Sequence, residues 1–250
     1  MSKANEIATY YDQTTATYLK IYGDVIQAFR PSSDKKLLNY LKNSIGLKRG
    51  QKILDAGCGV GGPAIFFAKK VNVTIEGVTV SPVQAEIATD RIRSKGLSSR
   101  VRIHKGDFHH LTQTFINADF DGAIFLESLG HAEDSVKVIE ETAQLIKPGG
   151  FIYIKDFFKK ESRDKIFQNK VDTVIGRMNE NYCYNTLRLI PVIETLRLFD
   201  FEIEFIKKFD FNDDTSIRAA FEEDQNIEIF KGYEEFWPAE WLEIKCIKSK

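Results

Sequence analysis

The run Ile53-Leu-Asp-Ala-Gly-Cys-Gly-Val-Gly-Gly62 constrains this chain more than any other segment. Apolar residues end at Asp55, and Gly57, Gly59, Gly61 and Gly62 follow within six positions. An amphipathic stretch, residues 63–70, begins at once. A strand, a tight glycine turn and a helix start, in that order, bring backbone N–H groups against a nucleotide-type group with no side chain between. An ordinary turn needs one glycine, and each further glycine adds to the chain entropy lost on folding. The loop is therefore read as a binding feature rather than a mere connection.

Length sets the scale: 250 residues suit one large α/β domain with insertions. A net charge of −1 gives no global field that would recruit nucleic acid or an anionic membrane. Cys58, Cys183 and Cys246 lie far apart without metal-ligand spacing, which fits a reducing compartment. No run approaches the roughly 18 apolar residues of a membrane span, and the first residues lack an apolar export core. The expectation is a cytoplasmic protein acting on a small molecule, with oligomeric state open and a homo-oligomer allowed.

Strand-like runs at 52–56, 73–80, 101–105, 122–126 and 151–156 alternate with helical patterns, as in a mostly parallel sheet. Ser81-Pro82 reads as an N-cap with proline at the first helical position, and the helix over 84–95 stops at Gly96. Residues 133–146 read as another helix, closed by the breaker cluster Lys147-Pro148-Gly149-Gly150. A helix near 191–199 precedes a final pair of strands at 202–209 and 241–247. Residues 1–48 and 159–190 fall outside the alternation. Such additions either cover the mouth of a site or only pack on a flank of the sheet.

Gly57-x-Gly59-x-x-Gly62 also satisfies a dinucleotide fingerprint, so the motif alone leaves two cofactors open. Three details favour S-adenosylmethionine over a nicotinamide dinucleotide. Asp55 stands two residues before the first glycine, where a carboxylate suits an ammonium group and repels a pyrophosphate. Glu76, the only acid available for ribose, sits mid-strand rather than at the end of the second strand. Gly106-Asp107-Phe108 follows the third strand, and a carboxylate beside an aromatic ring suits adenine.

With these residues in place, the chain resembles class I S-adenosylmethionine-dependent methyltransferases over residues 50–157. Leu54-Asp-Ala-Gly-Cys-Gly-Val-Gly-Gly-Pro63 is similar to the first motif of sterol C-methyltransferases. Glu76-Gly-Val-Thr-Val-Ser-Pro-Val-Gln-Ala-Glu86 resembles the second-strand motif of geranyl diphosphate and tocopherol methyltransferases. The Tyr10-Tyr11-Asp12 run, with the threonines and tyrosine after it, is similar to the same branch. The resemblance implies a Rossmann-like α/β fold: a seven-stranded, mostly parallel sheet with helices on both faces and an N-terminal helical cap. It divides one methyltransferase domain into a cap (1–48), a cofactor-binding core (50–157), a substrate-lid insertion (159–190) and a C-terminal completion of the sheet (191–250). By position, Gly57, Cys58 and Gly59 lie along the methionine moiety, and Asp107 and Phe108 meet the adenine. Many class I enzymes end the second strand in Asp or Glu, whereas Thr79 stands there. Ribose recognition then passes to Thr79, Ser81 and Gln84.

The fourth strand ends in Phe125-Leu-Glu-Ser-Leu-Gly-His131. The carboxyl ends of strands in an open α/β sheet face the ligand crevice, which aims Glu127 at the site. This segment resembles the Glu-containing fourth motif of sterol and geranyl diphosphate C-methyltransferases. There, methyl transfer to an alkene creates a carbocation that a carboxylate stabilises and deprotonates. Glu127 is the candidate for that role and His131 for a second base or substrate contact. A cofactor contact or helix cap for Glu127, and a plain helix-start residue for His131, remain the bland readings. Tyr18 and Tyr22 share a helix face, either as core or as acceptor-pocket walls for a passing cation. His109-His110 lacks companion ligands, so no metal site is assigned. A diphosphate acceptor would call on Arg30, Lys159, Lys160, Arg163, Arg177 or Arg188, and Mg²⁺ is expected only with such an acceptor. Methylation of carbon in an isoprenoid or similar alkene is the leading expectation. O- or N-methylation of a small metabolite is the alternative, and a cofactor-binding pseudoenzyme subunit a remote one.

Overall fold

A computed structural model describes residues 2–209, 215–234 and 236–250. Seven strands form one sheet in the order β3-β2-β1-β4-β5-β7-β6. They are β1 (Lys52–Ala56), β2 (Thr74–Thr79), β3 (Val101–Lys105), β4 (Phe120–Leu126), β5 (Ile146–Lys159), β6 (Phe201–Lys208) and β7 (Ala239–Lys248). Strands β1 to β5 pair in parallel, and β7 runs antiparallel between β5 and β6. The order reverses between β1 and β4, and the crevice at the carboxyl ends of those two strands is where such sheets hold ligands.

Both faces of the sheet are buried. Ile53, Ile75 and Ile124 pack with Leu37, Phe67 and Val171 on one side. Leu54, Val78 and Phe125 pack with Val138, Leu145 and Leu196 on the other. The first side is covered by α2 (Asp34–Ile45), α3 (Gly62–Val71), α4 (Pro82–Ser94) and α7 (Lys165–Asn181). The second is covered by α5 (Leu111–Thr114), α6 (Ser135–Leu145) and α8 (Leu189–Leu198). The Ser81 hydroxyl caps α4 by accepting from the Gln84 N–H, with Pro82 at the first helical position. Asp134 caps α6 in the same way.

The Lys147-Pro148-Gly149-Gly150 cluster does not separate helix from strand as expected. It lies inside β5, which begins at Ile146 directly after α6. Opposite it, β4 shifts register between Phe120 and Gly122, and Gly149 takes φ +76°. The sheet absorbs the breaker residues as an irregular strand start instead of a loop. Two more helices lie outside the alternation: α1 (Lys3–Tyr22) and α9 (Thr215–Asp224), which pack together, α1 also touching α4. Helix α9 left no clear mark in the sequence. Among the described residues no helix is long and apolar enough to cross a membrane.

Candidate active site

Gly57 and Cys58 both donate their N–H groups to the Val78 carbonyl, at 3.0 and 2.9 Å, fastening the glycine loop to the end of β2. Gly57 has φ +92°, and a Cβ there would overlap the Ser128 Cβ. Only glycine lets the loops after β1 and β4 approach this closely. The Ser128 hydroxyl completes the contact by donating to the Ala56 carbonyl at 2.5 Å.

Three adjoining cavities open over these loops. The first, about 690 Å³, brings together eight of the expected residues: Gly57, Gly59, Thr79, Gln84, Asp107, Phe108, Glu127 and His131. Thr79 ends β2, and its hydroxyl donates to the Gln84 side-chain oxygen at 3.0 Å. Glu76 lies mid-strand, is held by His104 at 2.7 Å and lines none of the three cavities. Asp107 Oδ1 accepts from the His109 backbone N–H and from its Nδ1 at 2.6 Å. Burial raises the Asp107 pKa, but these hydrogen bonds outweigh it and the carboxyl sits below its ordinary value. His109 is thereby a partner of Asp107, and among the described residues no group of three His, Cys, Asp or Glu gathers around a metal position.

A second, smaller cavity joins at Gly57 and Gly59 and adds Asp55, Cys58 and Gln27. Asp55 is buried, its Oδ2 has no hydrogen-bond partner, and burial pushes its pKa up to about 7. An orphaned, desolvated carboxylate oxygen of this kind fits an ammonium group. The donor set as a whole, with a carboxylate at one end, backbone glycines in the middle and Thr79, Gln84, Asp107 and Phe108 at the other, fits S-adenosylmethionine.

Ser81 does not line these cavities. Its hydroxyl accepts from the Gln84 N–H and donates to Asp12 Oδ1 at 2.5 Å, so it ties α1 to the start of α4. This engagement accounts for the Asp12 of the N-terminal Tyr-Tyr-Asp run.

The third cavity, about 640 Å³, abuts the first across Tyr11, Ile26, Glu127 and His131. Eight aromatic residues wall it: Tyr11, Tyr18, Tyr22, Phe157, Tyr182, Tyr184, Trp237 and Trp241. Tyr18 belongs here, away from the cofactor side. Its ring stacks on Phe221 at 4.2 Å and its hydroxyl shares a 2.8 Å hydrogen bond with Tyr10. Tyr11 is the tyrosine that reaches the junction, where its hydroxyl meets His131 Nε2 at 2.7 Å. His131 Nδ1 meets the Cys183 carbonyl at 3.1 Å, so Nδ1 carries the proton and Nε2 accepts from Tyr11. Burial lowers the His131 pKa to about 4, keeping the ring neutral.

Glu127 follows the last residue of β4 with φ +57°, a conformation rare outside glycine. Its carboxylate is buried in an ion pair with Lys155 and also accepts from the Ala28 N–H at 2.6 Å. Lys155, Gln27 and Trp241 were not singled out from the sequence, and Tyr11 only as part of the N-terminal Tyr-Tyr-Asp run. A legible signal for Lys155 existed: Lys155-Asp156 interrupts an otherwise apolar strand whose both faces are buried.

Most of the basic residues considered for a diphosphate are engaged elsewhere. Arg30 is buried against the Val25 carbonyl and Asp34, and Arg177 holds the carbonyls of Ile229 and Lys231. Lys159 pairs with Asp172 and Arg188 with Glu161. Among the described residues lining the aromatic cavity, Arg218 is the one Lys or Arg, and it pairs with Glu222.

A family model described as a methyltransferase domain matches residues 53–150. Methyltransferase GfsG of Streptomyces halstedii is 31% identical over 190 residues, 72% of this chain and 65% of that protein. O-methyltransferase rstn1 of Aspergillus nomiae NRRL is 32% identical over 169 residues, 62% of this chain and 72% of that one. Sterol 24-C-methyltransferase erg6 of Aspergillus fumigatus is 34% identical over 126 residues, 50% of this chain and 33% of that protein. The chain thus spans 65% and 33% of the lengths of GfsG and erg6. In fold, the [4+2]-cyclase SpnF superposes with a TM-score of 0.80 at 22% identity, covering 98% of this chain and 97% of that one. Geranyl diphosphate C-methyltransferase from Streptomyces coelicolor A3(2), in a complex with Mg²⁺, geranyl diphosphate and S-adenosyl-L-homocysteine, gives 0.74 at 15% identity, covering 99% and 98%. The solved structures share the fold, and by its sequence relatives the chain belongs to the class I S-adenosylmethionine-dependent methyltransferases, with sterol C-methyltransferases among them.

Proposed function

We propose that the protein methylates an alkene carbon of an uncharged, largely apolar, isoprenoid-type acceptor. The observation that carries this reading is the aromatic cavity abutting the cofactor cleft at Tyr11, Glu127 and His131. S-adenosylmethionine in the cleft supplies an electrophilic methyl group, and the protein's task is to align the acceptor and manage the charge that follows. When the new carbon–carbon bond forms, the neighbouring carbon becomes cationic. The tyrosine and tryptophan faces and the Glu127 carboxylate stabilise that charge. A proton on the adjacent carbon then leaves to His131 Nε2, directly or by way of the Tyr11 hydroxyl, and its bonding pair restores the double bond.

Two features favour carbon. A carbocation is so acidic that a weak base suffices, and His131 is a weak base at a pKa of about 4. General-base help to an alcohol works best with a base near the working pH. The cavity also offers a diphosphate little, since Arg218 is already paired. Mg²⁺ accordingly has no part in this reading. The segment 159–190, which contributes Met178, Tyr182 and Tyr184 to the cavity, is proposed as its substrate cover.

A second reading, O-methylation, draws on the Tyr11–His131 hydrogen bond, a ready relay for a hydroxyl proton. Incubation with methyl-labelled cofactor and a panel of uncharged terpenoid and sterol alkenes, some hydroxylated, separates the two. Label on carbon supports the first reading; methyl ethers as the sole products overturn it.

A further inference from the structure

We propose that Gln27 binds the α-carboxylate at the amino-acid end of the cofactor and links that contact to the Lys155–Glu127 pair beside the acceptor cavity. The inference rests on the S-adenosylmethionine reading of the cleft and assigns a residue outside every motif discussed above.

Gln27 and Asp55 line the same small cavity, together with Gly57 and Gly59. Both side chains are buried, and each leaves one polar atom without a partner: the Gln27 Nε2 donor and the Asp55 Oδ2 acceptor. A buried polar atom left without a partner is costly, so two of opposite sense in one cavity call for a ligand that serves both. A zwitterion does so, with its ammonium on Asp55 and its carboxylate on Gln27.

The orientation of the Gln27 amide follows from chemistry. Its Oε1 accepts from Lys155 Nζ at 2.9 Å. An ammonium group only donates, so the end facing Lys155 is the carbonyl, and the NH₂ is left for the cavity. The same Nζ donates to the Phe29 carbonyl at 2.7 Å and pairs with Glu127. The segment itself is seated directly on the glycine loop, because a Cβ on Gly62 would overlap the Asp24 carbonyl. Ile26, one residue before Gln27, lines all three cavities. A cofactor that holds Gln27 therefore fixes the segment that walls the acceptor cavity, and the acceptor binds more tightly once the cofactor is in place.

Calorimetry with two probes tests this: S-adenosylhomocysteine, and 5′-methylthioadenosine, which keeps the nucleoside and thioether but lacks the amino acid. Gln27→Glu retains an acceptor for Lys155 and the side-chain shape while removing the donor. It is expected to weaken S-adenosylhomocysteine at least tenfold and to leave 5′-methylthioadenosine within twofold. Equal S-adenosylhomocysteine affinity in the variant and the parent overturns the assignment. Should Gln27→Glu not fold, Gln27→Leu and the carboxamide of S-adenosylhomocysteine form a cycle. The carboxamide binds the parent less tightly than the acid does, and that difference disappears in Gln27→Leu; a difference that persists overturns the proposal. A parent protein that binds neither probe would instead defeat the reading of the cleft itself.

Discussion

Glu127, just past the end of β4, forms a buried ion pair with Lys155 inside the neighbouring parallel strand β5, and the Glu127 N–H donates to the Lys155 carbonyl at 2.7 Å. Burial pushes the Glu127 carboxyl above and the Lys155 ammonium below their ordinary values, while each charge pulls its partner back. Removing one member of such a pair strands the other charge, at a cost of about 3–5 kcal/mol. Lys155→Met is expected to lose stability on this scale in urea unfolding. Glu127→Leu combined with Lys155→Met is expected to recover much of it, because an apolar pair leaves no charge behind. A double variant no more stable than Lys155→Met would contradict this account.

The Tyr11–His131 contact makes a prediction about acid. A free imidazole titrates near 6.5, whereas His131 in the folded protein stays neutral down to about 4. As pH falls through this window the unfolded chain takes up a proton that the native state refuses, so stability is lost. At pH 5 the loss from this residue is about 2 kcal/mol. His131→Gln should therefore show a smaller drop in stability between pH 7 and pH 5 than the parent, measured by denaturant titration. Its kcat should fall by about 10²–10⁴, the usual contribution of a positioned base.

Gly57→Ala attacks the loop contact. The left-handed φ adds about 1–3 kcal/mol of strain, and the overlap with Ser128 adds a comparable overpacking cost. Thermal unfolding should show the loss, and S-adenosylhomocysteine binding should weaken with it. Adding Ser128→Gly relieves the overlap but not the φ strain, so recovery should be partial. Full recovery would mean that backbone conformation at Gly57 matters little.

What the sequence disclosed was local. The glycine loop, the Ser81-Pro82 helix start, Thr79 at the end of β2 and the alternation of β1 to β5 each depend on residues a few positions apart. The junction between the cavities depends on contacts across the chain. Tyr11 meets His131, and Gln27 meets Lys155, over separations of 120 and 128 residues. Periodicity carries no record of such pairs. Long-range contacts also set the orientation of Ser81 and Tyr18. Ser81 was expected at the ribose, but its hydroxyl is taken up by Asp12, and Tyr18, read as core or as an acceptor-pocket wall, lines the aromatic cavity with its ring stacked on Phe221. Lys155 was the legible exception, a charge in a strand with no exposed face.

Asp55 links cofactor binding to pH. In the free protein its carboxyl titrates near 7, against about 3.9 in an unfolded chain. Between these values the native state keeps a proton that the unfolded chain has released, so this residue makes stability fall as pH rises from 4 to 7 and adds no further change above 7. Binding runs the other way. The cofactor's ammonium favours the ionised carboxylate, so below about pH 7 each bound molecule expels a proton and affinity climbs with pH. The ammonium of a free amino acid, beside its own carboxylate, keeps its proton above this range, so affinity should rise through about pH 7 and then level off. Calorimetric titration with S-adenosylhomocysteine from pH 6 to 9, repeated in buffers of different ionisation enthalpy, reads both the profile and the proton count. Asp156 also titrates near 7, but Tyr184 and the Phe157 and Gly130 N–H groups hold it outside the cleft. Asp55→Asn should therefore abolish the acid limb of the profile and the proton release, and weaken binding at pH 7.5. An unchanged acid limb in Asp55→Asn would remove Asp55 from the ammonium site.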